Sequence, residues 1–273
     1  MPVKNEERNL SRCLAALSRF AEVIVVDSGS TDRTREIASE SSARLIDFRW
    51  DGHYPKKRNW LLINHQLMNE WVLFLDADEI VDDTFCNQVS AAIASGRYDA
   101  YWLNYTNHFL GRRLRHGVQQ RKLSLFKTRA GLYERIEEDS WSPLDMEIHE
   151  HPLIEGPVGE IRAKIQHNDF RGFEHFLDRH RNYARWEARR RLQLEAKGDS
   201  RDRSLTARQH MKYRYIERWW FPGCYFVYTY IVRFGFLDGA AGLHYAFYKA
   251  WYFLTIRLLV SELRVRHKAS ARY

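Results

Sequence analysis

The chain of 273 residues is 45% hydrophobic and 29% charged, a globular composition that excludes a disordered or fibrous protein and allows one large core or two modest ones. The formal net charge of +8 is unevenly spread, because residues 1–170 sum to −4 and residues 171–273 to +12. This divides the sequence into a mildly acidic first region, 1–170, and a basic second region, 171–273.

Cys13, Cys86 and Cys224 lie far apart without C-x-x-C spacing, which argues against a disulfide framework or a zinc knuckle and fits a reducing, cytoplasmic setting. The opening MPVKNEERNL lacks the apolar stretch of a secretory signal, so a chain that is not exported is expected. The longest uncharged apolar run, Trp219 to Val232, contains Pro222 and Gly223 and stops at Arg233, too short for a plain transmembrane helix.

The first region alternates helix and strand patterns. Leu10, Cys13, Leu14 and Leu17 share one helix face within 9–20, and the β-branched run at 22–26 reads as a buried strand ending at Asp27. Ser28-Gly29-Ser30-Thr31-Asp32 supplies N-cap candidates for a helix from about 33 to 42, followed by a strand at 43–48 and a helix at 56–69. Trp71 to Leu75 is another buried strand, ending at Asp76. This alternation predicts an α/β domain with right-handed crossovers and a mostly parallel sheet. Ligands of open α/β sheets bind beyond the carboxyl ends of the strands, which is where Asp27 and Asp76 stand. Between Tyr98 and Gly159 the pattern becomes irregular, with strand candidates at 100–105 and 122–127.

The sharpest chemical signal is Leu73-Phe74-Leu75-Asp76-Ala77-Asp78-Glu79. Residues two apart in extended chain point the same way, so Asp76 and Asp78 can converge on one ion. Two hard oxygen ligands with room for phosphate oxygens suit Mg²⁺ or Mn²⁺ bridging protein and a nucleotide diphosphate. A capping loop for the next helix is the ordinary alternative, and Asp27 has the same two readings.

Pro2-Val3-Lys4-Asn5-Glu6-Glu7, VVDSGSTD at 25–32, WDG at 50–52, KKRN at 56–59 and FLDADE at 74–79 together resemble the family 2 inverting glycosyltransferases of the GT-A fold, in the branch of bacterial lipopolysaccharide-core and exopolysaccharide enzymes. The resemblance runs through about residues 2–180. It implies that Val3, Glu6, Asp27, Arg58 and Asp76 surround the nucleoside of a sugar nucleotide, most often UDP, and that Asp78, Asp76 and His167 hold the metal. It also implies that Glu150, in MEIHEHP, is the base that deprotonates the acceptor hydroxyl for inverting attack. The 1–170 region would then be the catalytic domain. The family's usual first strand is almost absent, so either the start lies upstream or the sheet carries a stub at a central position. Glu147, His149, Glu150 and His151 also lie close enough to suggest a separate metal site, with structural histidines as the alternative; no H-E-x-x-H spacing supports a metalloprotease.

In the second region Phe173, Phe176, Leu177, His180 and Ala184 mark one helix face opposite an arginine-dense face, and 197–202 is the linker candidate. Residues 213–253 hold 17 of the chain's 39 aromatic rings, which makes this an aromatic-rich helical extension. Aromatic helices with basic margins suit the anionic surface of a membrane, here its inner, cytoplasmic face; packing as a core or dimer contact is the alternative. The sequence therefore reads as a peripheral glycosyltransferase acting on a lipid-linked saccharide or lipopolysaccharide-core acceptor, with no nucleic acid as partner. A basic nucleic-acid-binding protein and a membrane adaptor with a degenerate transferase domain stay open as alternatives.

Overall fold

The computed structural model describes residues 1–147, 150–198 and 205–270. The chain forms two compact units, Met1–His108 with Gln119–Phe170, and Phe109–Val118 with Arg171–Tyr273.

The first unit begins β1 (Pro2–Val3), α1 (Leu10–Ala15), β2 (Ile24–Asp27), α2 (Thr34–Glu40) and β3 (Arg44–Asp47). These strands make a parallel sheet in the order β1-β2-β3, with Val3 opposite Asp27 and Asp27 opposite Asp47. Strand β1 has two residues and stands at the edge of this sheet, not at the central position expected of a stub. Then follow α3 (Lys57–Asn64), β4 (Trp71–Leu73), β5 (Glu79–Ile80), α4 (Asp83–Ala94), β6 (Ala100–Phe109), β7 (Arg112–Arg113), β8 (Arg121–Lys127), β9 (Gly131–Tyr133), β10 (Pro152–Ile154) and β11 (Val158–His167). The larger sheet runs β4-β8-β6-β11-β5. Only β6 and β11 are parallel in it, whereas β4 and β6 run antiparallel to β8, and β5 antiparallel to β11. Parallel pairing is thus confined to β1–β3 and β6–β11. An apolar run such as WVLFL marks a buried strand but does not encode the direction of its partner.

Helix α3 is shorter than its pattern, ending at Asn64 as His65 turns extended and sets its ring 4.7 Å from that of Trp60. Helix α4, which the sequence reading left out, starts at Asp82, whose side chain accepts from Phe85 N, the usual N-cap bond. Side chains alternate between two apolar layers: Val25, Leu75, Tyr101, Leu103 and Tyr105 pack in one, and Val26, Phe74 and Ala100 in the other. A register shift between Tyr101 and Trp102 on β6 sends Leu125 to the first layer and Leu123 to the second, the effect of one extra residue in a ladder.

The second unit is helical: α5 (Phe173–Ala196), α6 (Ala207–Tyr215), α7 (Phe221–Val227), a π turn at Tyr228–Val232, a 3₁₀ turn at Gly235–Asp238, and α8 (Gly239–Ser270). Of the expected linker, residues 199–202 lie outside the described residues. Residues 109–118, which the charge division assigned to the first region, fold here. Phe109 and Leu114 are buried with Ala241 against Phe176 and Tyr245. The amides of Arg115 and His116 donate to Asp238 at 3.1 and 2.9 Å. Ala184, Ala188, Ile216, Tyr252, Phe253, Ile256 and Val260 form the central core. The arginine-dense face of α5 is partly internal, since Trp186, Glu187 and Arg190 are buried. Glu187 accepts from Lys212 Nζ at 2.6 Å and Tyr213 OH at 2.8 Å, and Arg191 and Arg264 both pair with Glu217.

Candidate functional site

The carboxyl ends of β2 and β4 are joined through the first turn of α3. Asp27 ends β2 fully buried, and its carboxylate accepts from Gly29 N, Ser30 N, the Ser30 hydroxyl and, at 2.9 Å, Arg35 Nη1. Burial alone would raise its pKa, but these donors hold it below the usual carboxylate value. The turn needs Gly29 at φ +78°, a left-handed conformation that suits glycine. Asp27 therefore shapes this turn, whatever else it binds. Val3, opposite it, is buried, and its carbonyl accepts from Lys57 Nζ at 3.1 Å. Glu6 sits on the turn after β1, its amide donating to Thr34 Oγ1 at 2.7 Å and its carboxylate accepting from Asn9 Nδ2 at 2.9 Å.

Helix α3 carries three cations in a row at its start. Lys57 Nζ also donates to Ser28 Oγ at 2.7 Å and pairs with Asp145 at 3.2 Å. Arg58 is buried, donates from Nη1 to the Glu147 carbonyl, and reaches Asp76 Oδ1 with Nη2 at 2.7 Å. Lys56 reaches Glu150 Oε1 at 2.9 Å and also pairs with Glu138. The Glu147 carboxylate accepts from Arg58 N at 2.9 Å and Asn59 N at 3.0 Å. It caps the positive end of α3 from outside the helix, and each such charge-assisted bond is worth about 1.5–3 kcal/mol.

Asp76 and Asp78 follow β4. Asp76 Oδ2 accepts from Lys122 Nζ of β8 at 2.6 Å, and the same ammonium contacts Glu79. Burial opposes ionisation of Asp76, but Lys122 and Arg58 keep its carboxyl far below the usual range. Asp78 is buried and faces His167 Nε2 at 3.3 Å. His167 arrives there because β11 pairs antiparallel with β5, setting His167 opposite Glu79. Its Nδ1 lies 3.2 Å from Asn107 Oδ1, a partner that leaves Nε2 directed at Asp78. Burial lowers the His167 pKa, but the Asp78 charge outweighs it and raises the value.

The oxygens of Asp76, Asp78 and Glu79 lie within 4.8 Å of one another, and among the described residues this is the cluster able to hold a metal ion. Carboxylate oxygens suit a hard divalent cation; the His167 imidazole adjoins Asp78 alone, and both Asp76 oxygens are met by Arg58 and Lys122. Glu79 serves the fold instead. It is fully buried, takes Lys122 on one oxygen, and accepts on the other from Asp76 N at 3.2 Å. The separate cluster suggested at 147–151 is not a metal site in the described residues, because Glu147 is turned to the α3 amides and Glu150 to Lys56. His149 lies outside the described residues.

Val3, Asp27, Arg58, Asp76, Asp78 and His167 thus belong to one contact network, and Glu150 joins it through Lys56, two residues before Arg58. The sequence reading gave no role to Lys57, Lys122 or Asp145 and offered Glu147 only as a metal ligand. The two lysines carried a signal in their charge beside apolar runs, whereas the two carboxylates lie in an irregular stretch with no periodicity to place them.

The α/β order, with parallel β1–β3 leading into a mixed sheet and a helical C-terminal region, is the GT-A architecture that the sequence resemblance implies. An 80-residue segment is 40% identical to part of a TPR repeat-containing protein of Synechococcus elongatus, covering 29% of this chain and 19% of that one. The lipopolysaccharide core biosynthesis glycosyltransferase LpsC of Rhizobium meliloti is 28% identical over 167 residues, 58% of this chain and 57% of its own. An uncharacterized glycosyltransferase of Rickettsia typhi is 34% identical over 99 residues, 36% of this chain and 33% of its own. Each of these matches spans less than two thirds of the relative. Among solved structures, S. aureus TarS aligns over 96% of this chain and 89% of its own at 14% identity and a TM-score of 0.45. The Glycosyl transferase family 2 model matches residues 1–149, the stretch that contains β1 to β9, the three cations of α3 and both aspartates after β4, and the chain belongs to that family.

Proposed function

We propose that the protein is a divalent-metal-dependent, inverting glycosyltransferase that moves a sugar from a nucleotide donor, UDP-linked, to a lipid-linked saccharide or lipopolysaccharide-core acceptor. The observation that carries this reading is the junction at Asp76, where Arg58 and Lys122 meet one carboxylate beside the Asp78–His167 pair. Family membership supplies the reaction class, and LpsC, named for lipopolysaccharide core biosynthesis, supplies the acceptor class.

Val3, Glu6 and Asp27 line the nucleoside end, with Arg58 and Lys57 at the edge of the same turn. Asp78, with His167 and Asp76 beside it, would hold Mg²⁺ or Mn²⁺. A bound divalent ion neutralises the charge that develops on a departing diphosphate. Arg58 and Lys122 add fixed positive charge there, kept in place by Asp76 before any donor arrives, so little reorganisation is needed. Glu150 takes the proton of the acceptor hydroxyl, and attack from the face opposite the diphosphate inverts the anomeric centre. Isothermal calorimetry over UDP-, GDP- and dTDP-sugars should give Mn²⁺-dependent binding to a UDP-sugar; binding to none of them rejects this reading.

The second unit addresses the acceptor's membrane. Helix α8 runs 32 residues, and its packed side includes Ala246, Phe253, Ile256 and Val260. A second stripe, Leu243, Phe247, Trp251, Leu254 and Leu258, is exposed at helical spacing. Trp219, Val227, Ile231, Val232 and Phe234 are exposed in the same unit, Trp219 to 78%. Apolar surface on this scale marks an interaction site. Of the 17 aromatic residues at 213–253, four are buried, seven exposed and six half-buried. No described helix is long and apolar enough to cross a membrane; the exposed stripe supports interfacial attachment at the inner face of the cell membrane. Replacing Phe247, Trp251 and Leu258 with serine should abolish co-sedimentation of the full chain with phosphatidylglycerol vesicles. Retention equal to the unmodified protein would exclude this surface as the anchor.

A further inference from the structure

Helix α3 opens in a way that its own sequence does not stabilise. Lys56, Lys57 and Arg58 put three cations at the positive end of the helix dipole, no acidic residue stands in the first turn, and Lys56 at the N-cap makes no side-chain capping bond. The first amides of a helix have no partner within it. Here three of them are met from one distant stretch of chain. Lys57 N donates to the Asp145 carbonyl at 3.0 Å, and Arg58 N and Asn59 N donate to the two oxygens of the Glu147 carboxylate at 2.9 and 3.0 Å. Glu147 is buried at 1% exposure, so its charge faces the helix start and not water.

The same residue also reaches the Arg58 side chain. Its carbonyl accepts from Arg58 Nη1, while Nη2 donates to Asp76 Oδ1 at 2.7 Å. Arg58 is thus held at its backbone and at both ends of its guanidinium. What remains is Nε, which is buried and has no hydrogen-bond partner among the described residues. The Tyr133 ring, 5.4 Å from the guanidinium carbon, attracts the charge through its face but leaves that N–H unsatisfied. A buried donor without an acceptor is costly, and an anionic oxygen brought by a ligand removes the cost. A planar guanidinium with an open N–H suits a phosphate oxygen.

We propose that Glu147 is a positioning residue for the donor: with Asp76 it holds Arg58 so that the open guanidinium N–H takes an oxygen of the donor's diphosphate. This rests on the reading of Arg58 as a donor-binding residue. Glu147 acts through Arg58 and touches neither donor nor acceptor. An arginine ordered before the donor arrives loses little rotamer freedom on binding. The role needs a carboxylate, because both oxygens accept. Glutamine at this position would keep one acceptor and turn its NH₂ group toward an amide N–H, donor against donor. It would also remove the negative charge that faces three cations.

Calorimetry of the full chain with UDP in Mn²⁺ tests this. Glu147→Gln should weaken UDP binding by about 10–100-fold, the range for residues that orient a binding residue. Uridine, which has no phosphate, should bind Glu147→Gln as it binds the unmodified chain, read by ligand-observed NMR. In an Arg58→Ala background Glu147→Gln should add no more than about twofold, because residues that act through one contact are not additive. A Glu147→Gln chain that binds UDP as tightly as the unmodified one overturns the proposal. Equal losses for UDP and uridine overturn it too, since they mark a disturbed pocket, and so does the full loss repeated in the Arg58→Ala background. Arg58→Ala with unchanged UDP affinity instead rejects the donor reading of Arg58 beneath the proposal, and the two failures are told apart.

Discussion

Asp78→Ala is expected to weaken Mn²⁺-dependent UDP binding by about 100-fold or more, beyond the 10–100-fold typical of losing a residue that only supports a metal ligand. Asp78 is buried at 4% exposure, and its backbone is pinned because its carbonyl accepts from Asn168 N at 2.9 Å. The carboxylate therefore cannot be replaced by a neighbour swinging in. Asp76 has both oxygens engaged, one by Arg58 and one by Lys122, and Glu79 is locked behind Lys122 and Asp76 N. The substitution also takes from His167 the anion that raises its pKa, so burial then favours the neutral ring. A neutral imidazole is still a ligand, but the carboxylate beside it is gone. Calorimetry of UDP with Mn²⁺ and with a chelator separates the metal-dependent part. Equal affinities for Asp78→Ala and the unmodified chain in Mn²⁺ would remove Asp78 from the site.

What the sequence made legible follows from which interactions are local. Strand β2, the turn at 28–32 and helix α2 could be read because the apolar run, Gly29 and Asp32, which accepts from Thr34 N at 3.0 Å, are adjacent in the chain. Asp76 and Asp78 could be read because a strand end and an i, i+2 spacing are local too. Lys122 could not be placed at Asp76, because that contact depends on β4 pairing antiparallel with β8, Leu73 opposite Leu125, and no pattern within either strand sets that register. His167 beside Asp78 depends likewise on the β5–β11 register, and only the resemblance to a family pointed to it. The role of Glu147 was hidden for a different reason. It caps a helix from a distant loop, whereas capping signals in sequence concern residues that precede their own helix. Residues 109–118 joined the second unit through Phe109 and Leu114, whose partners on α5 and α8 are more than 60 residues away. The aromatic-rich segment was legible in composition but not in allocation, since burial of Tyr252 and exposure of Trp251 are set by which side of α8 meets α5.

Glu150→Gln should keep donor affinity close to that of the unmodified chain while lowering transfer by about 10²–10⁴-fold, the range for removing a general base. The two effects separate because Glu150 is held by Lys56, at the very start of α3, whereas the donor-side contacts run from the next two residues, Lys57 to Ser28 and Arg58 to Asp76. Glutamine keeps the shape of glutamate and can accept from Lys56, so that contact should stay in place. The variant should therefore fold with a melting temperature near that of the unmodified chain, and its loss should fall on kcat and not on donor binding. Calorimetry with the UDP-sugar and a UDP-release assay on the same preparation measure both quantities. Transfer within a few-fold of the unmodified enzyme would move the base elsewhere, whereas a parallel loss of donor affinity would mean that Glu150 supports the nucleotide pocket and not the proton transfer.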